Sequence, residues 1–132
     1  VTSYYLAASW KRKDEMCAIR QELVNMGHRV TARWLDVDET VIPEGGVSEH
    51  PYTEALHASM DITDIVMSDE TLVFTGVPST TGGYHTELGI AIGQQKRITI
   101  IGPRENVFQT LALLKKFDTW EDFRFFLRQK EQ

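Results

Sequence analysis

The sequence predicts a doubly wound α/β fold built on a five-stranded, mainly parallel sheet. Short apolar runs recur along the chain at residues 4–8, 71–75 and 97–102, and stretches of helical period separate them. Glycines and polar turns mark the junctions between the two kinds of segment. Strands that alternate with helices must be joined by crossovers, and crossovers impose parallel pairing. A chain of 132 residues suits one domain, 1–132, with enough length to bury a core.

Tyr4-Tyr5-Leu6-Ala7-Ala8 is a continuous apolar run, as expected of a strand buried on both faces. From Ser9 to Met26 the spacing becomes helical: Met16, Ile19, Leu23 and Met26 share a face, Cys17 reads as a small buried residue, and Gly27 is a stop. His28 to Trp34 alternates and is rich in strand formers, which predicts a second strand at an edge. Residues 36–51 mix acids with Pro43, Gly45 and Gly46 and read as a long loop. A helix follows from Tyr52 to Ser68, with Ala55, Leu56, Met60, Ile62, Ile65 and Val66 clustered by period. The third strand, 71–75, leads through a loop into a helix over 83–95 that turns Leu88, Ala91 and Ile92 inward. The fourth strand is 97–102, a short helix falls within 103–114, and residues 115–117 form a brief fifth strand. Thr119 caps a last helix, with Asp122 at the capping-box position. Right-handed crossovers then suggest the flavodoxin-like order 2-1-3-4-5 with helices on both faces.

Composition narrows the function. The balance of 42% hydrophobic and 25% charged residues is that of an ordinary globular chain, and the net charge of −5 gives no electrostatic case for a nucleic-acid partner. No apolar run is long enough to span a membrane, and the opening Val1-Thr2-Ser3-Tyr4 lacks the features of a secretion signal. One cysteine excludes a disulfide framework, the histidines show no ligand spacing, and a cytoplasmic home is the default expectation.

Ligands in doubly wound sheets bind beyond the carboxyl ends of the strands, where the strand order reverses. This rule gathers Ser9, Lys11 and Arg12 after strand one, residues 76–83 after strand three, and Arg104, Glu105 and Asn106 after strand four. The richest stretch is Gly82-Gly83-Tyr84-His85-Thr86-Glu87-Leu88-Gly89. Glu87 reads as lying in the first helical turn, where unpaired N–H groups favour an ionised carboxylate, suited to a nucleophile or a ribose clamp. An ordinary helix with an acid near its start fits the same local pattern. Asp61 and Asp64, one turn apart, could divide roles as nucleophile and acid, or could form a solvated helix face. Trp10 and Trp34 could stack on a base or simply pack.

Together, Tyr5-Leu6-Ala7-Ala8-Ser9, Asp61 eight residues before Asp69, Leu72-Val73-Phe74 and Gly83-Tyr84-His85-Thr86-Glu87-Leu88-Gly89 resemble the nucleoside 2-deoxyribosyltransferase family, which includes the 2'-deoxynucleoside 5'-monophosphate N-hydrolases. Glu105-Asn106-Val107-Phe108 and Trp120-Glu121-Asp122-Phe123 also look like members of it. The resemblance implies an enzyme of nucleotide salvage that cleaves an N-glycosidic bond with retention. Glu87 would be the nucleophile, Asp61 would protonate or orient the leaving base, and Tyr5 would position the carboxylate. No metal or other cofactor is implied. Partners would be a small-molecule deoxynucleoside or deoxynucleotide, with neither a nucleic-acid polymer nor a membrane.

The resemblance also implies a homo-oligomer, with Asn106, Phe108 and Gln109 as candidates to complete a neighbour's pocket. The chain departs from the family at Ala8, where Gly is frequent, and in a loop that carries Ser79, Thr80 and Thr81 where many transferases carry an acid. Hydroxyls beside Gly82, Gly83 and a helix N-terminus suit an anion, with Ser9 and Arg12 as helpers, which points toward a 5'-phosphate. A non-catalytic nucleotide-binding module, or an interaction domain presenting the acidic loop 36–49, are the readings of a different class.

Overall fold

The computed structural model describes residues 1–37, 51–77 and 82–131, with backbone alone at 51–53. Five strands, β1 (Ser3–Ala7), β2 (Arg29–Val30), β3 (Glu70–Phe74), β4 (Arg97–Ile101) and β5 (Lys115–Phe117), pair in the order β2-β1-β3-β4-β5. Every pairing is parallel. Four α-helices cover the sheet: α1 (Lys13–Asn25), α2 (Pro51–Met67), α3 (Gly83–Gly93) and α4 (Trp120–Lys130). The predicted order and all five strands are present.

Alternation along the strands decides what each side of the sheet touches. Tyr4 pairs in register with Glu70, and Leu6 with Leu72, so these and Phe74 share one face. Tyr4 meets Phe123 edge-on, and Phe74 packs against Trp120, which puts α4 on that face. Glu22 of α1 accepts from Trp120 Nε1 at 2.6 Å and pairs with Arg124, so α1 lies beside α4. The opposite face carries Tyr5, Ala7, Thr71 and Val73 beneath α2 and α3, which contact each other. Tyr5, Leu6, Leu72, Val73 and Phe74 are fully buried. Burying a large apolar side chain contributes about 1.5–3 kcal/mol.

Three segments differ from the sequence reading. The second strand ends after Val30, and residues 33–36 form a 3-10 turn. Thr31 donates its backbone N–H to Tyr4 O and its hydroxyl to Asp64 O at 2.8 Å, so the chain leaves the sheet to meet α2. Trp34 then turns inward, and its indole N–H donates to Leu6 O at 2.8 Å. The first helix opens with a 3-10 turn at Trp10–Arg12 before α1 proper, and Cys17 is only partly buried, with its sulfur 3.8 Å from Leu35 O. In α2 the buried positions include Asp64, Ile65 and Ser68, while Ala55, Leu56, Ile62 and Val66 are exposed. The helix turns its polar side, Glu54, His57, Asp61 and Asp64, inward and leaves apolar residues exposed, the reverse of what its period favours. The acidic stretch 38–49 lies outside the described residues.

Candidate active site

Tyr5 sits in the middle of β1, the strand flanked by β2 on one side and β3 on the other. Its side chain points to the α2–α3 face, and its hydroxyl donates to Glu87 Oε2 of α3. Glu87 is thereby held over the sheet by a residue 82 positions earlier in the chain. Gly82 caps α3 in the left-handed conformation, at φ 75°, a backbone geometry that side-chain-bearing residues rarely adopt. Its carbonyl receives the Thr86 N–H at 3.0 Å.

Glu87 is therefore the fifth helical residue, and no acid occupies the first turn. Its position corrects the reading that unpaired helix N–H groups hold it ionised, because those groups belong to the residues before Thr86. Burial dominates instead. Desolvation, followed by the negative charge of Asp61, pushes the Glu87 carboxyl up to about 8, with the Tyr5 hydrogen bond opposing.

Asp61 projects from the same face of α2 as Asp64. Burial first, and the charge of Asp64 second, push it up to about 7, while Arg33 pulls the other way. The Tyr5 phenol is raised well above its ordinary value by burial and by Glu87 and Asp61. Tyr5, Asp61 and Glu87 thus form one electrostatically coupled cluster. Two carboxyls that hold protons near neutrality beside a buried phenol are equipped for nucleophilic and acid work.

Asp64 belongs to the second layer of this cluster rather than to a solvated face. It is 5% exposed. It accepts from Arg33 N and Arg33 Nε, each at 2.9 Å, and Arg33 NH2 lies 2.8 Å away. Arg33 was not singled out from the sequence. The signal available was the need of an inward-facing acid for a cation.

The other predicted residues are placed as follows. Ser9 is buried and accepts from Lys11 N at 3.4 Å, capping the 3-10 turn that follows β1. Arg12 binds Glu15 through Nε and NH2, donates to Thr75 O at 3.0 Å, and lies over the Phe74 ring. Phe74 is on the α1–α4 face, so Arg12 sits across the sheet from Tyr5. Gly83 begins α3 behind Gly82. Asn106 accepts from Phe108 N at 3.0 Å and donates to His85 Nδ1 at 3.2 Å, which ties the segment after β4 to the start of α3. Glu105 joins the same tie by accepting from the Tyr84 hydroxyl at 2.5 Å. Trp34 packs against Trp10 with ring centres 5.7 Å apart. Ser79, Thr80 and Thr81 lie outside the described residues. Among the described residues no three His, Cys, Asp or Glu side chains gather as a metal site, and no helix is long and apolar enough to cross a membrane.

No protein-family model and no curated protein sequence matches the chain. Solved structures do. One is the 2-deoxyribosyltransferase of Bacillus psychrosaccharolyticus, with a TM-score of 0.70 at 22% identity over 92% of this chain and 89% of that one. Another is the CMP N-glycosidase BcmB of Clostridium botulinum, with a TM-score of 0.58 at 18% identity over 98% of this chain and 99% of that one. The five-stranded 2-1-3-4-5 parallel sheet of this chain is thus the α/β fold of these two structures, carried over nearly its whole length.

Proposed function

We propose that this protein cleaves the N-glycosidic bond of 2'-deoxyribonucleosides or their 5'-monophosphates and transfers the 2-deoxyribosyl group to another base. The observation that carries the reading is the Tyr5–Glu87 hydrogen bond with Asp61 in the same charge cluster. The ionised Glu87 carboxylate attacks C1' while the bond to the base breaks, and the base leaves with a proton from Asp61. The product is a glycosyl ester on Glu87. A second base attacks C1' and gives its ring N–H proton to the Asp61 carboxylate, while the ester bond breaks and the Glu87 carboxylate is released. Negative charge on Glu87, and that developing on Asp61 as its proton passes to the base, favours the oxocarbenium-like transition state.

Water in place of the second base makes the same site an N-hydrolase. The likeness to an N-glycosidase over 99% of that chain supports this alternative. A purely nucleotide-binding module has no need of two proton-holding carboxyls around a buried phenol.

A homo-oligomer is part of the proposal. Leu56, Ser59, Ile62, Thr63 and Val66 form an exposed stripe of α2 that carries no charge, in a chain whose residues are 25% charged. Such a surface is suited to an identical, equally uncharged surface on a second copy.

The test is to incubate the protein with each deoxynucleoside and each deoxynucleoside 5'-monophosphate, with and without a second free base, and to separate the products. Exchange of bases is expected from the transferase and free base alone from the hydrolase. No cleavage of any member of the panel would overturn the reading.

A further inference from the structure

Among the described residues, Asp64 and Arg33 are committed to each other more completely than any surface pair. The Asp64 carboxylate takes the backbone N–H and two guanidinium nitrogens of Arg33, all within 2.9 Å, and its own backbone carbonyl holds the Thr31 hydroxyl at 2.8 Å. These bonds clamp the turn after β2 onto α2 at the level of Asp61, one helical turn away. The Arg33 side chain is half exposed, whereas that of Asp64 is 7% exposed, so the acid is the buried member. An acid on this inward face is expensive unless paired, and a hydrophobic residue there would pack at no such cost.

We propose that the Arg33–Asp64 pair is a positioning element for Asp61, which fixes the rotation of α2 and places one cation and one anion beside the Asp61 carboxyl. The proposal rests on the reading of Asp61 as the acid of the reaction. The groups around Asp61 are the Tyr5 hydroxyl from β1, Glu87 from α3, Arg33 from the turn after β2, and Asp64 from α2 itself. His57 and Glu54 lie one and two turns earlier on the same side of α2, both partly buried. Within this group Asp64 is the anion that discourages ionisation of Asp61, and Arg33 is the cation that encourages it. The two charges act on Asp61 with opposite sign, and the pair as a unit determines the balance.

The experiment follows the Asp61 carboxyl carbon by NMR in protein labelled at aspartate, with Asp61→Asn supplying the assignment. Asp64→Asn is expected to lower the Asp61 titration by roughly one unit, as expected when a neighbouring like charge is removed. Arg33→Gln is expected to raise it, and its half-exposed position keeps that variant foldable even where Asp64→Asn is not. The acid limb of kcat/KM against pH, which the lower-titrating Asp61 sets, should move in the same directions. An Asp61 titration unchanged in both variants, or shifted the same way by both, overturns the proposal. This readout needs no turnover. A protein inactive on every substrate but with the two opposite shifts would sink the functional reading and leave the positioning role standing.

Discussion

The Tyr5 hydroxyl donates to the Glu87 carboxylate across the junction between β1 and α3. That bond joins the central strand to the helix that follows β3, and it favours the charged form of an acid that burial otherwise keeps protonated. Tyr5→Phe should therefore raise the Glu87 titration further. Because Glu87 titrates above Asp61, the alkaline limb of kcat/KM is expected to move to higher pH by about half a unit to one unit, with the summit lowered several-fold. Unaltered limbs would remove Tyr5 from any positioning role.

The proposed division of labour has a definite pH signature. Glu87, pushed up to about 8, must be ionised, and Asp61, pushed up to about 7, must be protonated. Only a minority of the free enzyme carries both forms together. A bell-shaped kcat/KM profile is expected, with its summit between those values. Because the required acid titrates below the required base, the acid limb breaks at the value of Asp61 and the alkaline limb at that of Glu87. A flat profile from pH 5 to 9 would contradict the assignment.

Glu87→Gln should reduce glycosidic cleavage by about a thousandfold or more, because an amide is a poor nucleophile. The same substitution should stabilise the fold in alkali. The folded-state value of Glu87 lies above its unfolded value of 4.5, so its contribution is fully present below that value and is lost as pH rises through about 8. The variant's Tm is expected to exceed the wild type's by about 5 °C at pH 8.5, and the gap should close near pH 4. Scanning calorimetry at both pH values checks the sign.

Gly102 marks the end of β4 at φ 122°, and a Cβ there would come within 2.5 Å of Thr75 Oγ1 and 2.8 Å of Thr75 O. Thr75 cannot yield easily, since its hydroxyl donates to Pro103 O at 2.6 Å and its N–H to Ile101 O at 3.0 Å. Gly102→Ala should cost about 2–4 kcal/mol, measured by urea unfolding. A loss below about 0.5 kcal/mol would show that the β3–β4 rim is more pliable than its geometry implies.

The uncharged stripe on α2 predicts self-association. Light scattering of the wild type should give a mass above 15.1 kDa, and Ile62→Asp with Val66→Asp should return it to that of one chain. A wild-type monomer would discard the proposed interface.

Much of this protein is legible in one dimension. Continuous apolar runs at β1, β3 and β4 announce strands buried on both faces, and the alternation with helices leaves few topologies open. Tyr5, Asp61 and Glu87 were joined as a set only by the family resemblance, and their roles stand as a proposal. What tertiary structure alone decided is electrostatic and rotational. The local pattern placed Glu87 among unpaired helix N–H groups, but its ionisation is governed by burial and by Asp61, which no local window contains. The rotation of α2 could not come from its period, which would turn the side of Glu54, His57, Asp61 and Asp64 to solvent; the Arg33–Asp64 pair, which joins residues 31 positions apart, helps hold that side inward. The second strand stops short for the same reason, since Thr31, Arg33 and Trp34 find partners in α2 and β1 that outweigh the local preference to stay extended. Periodicity records what a segment prefers by itself, whereas charge pairing and desolvation depend on which segments the fold brings together.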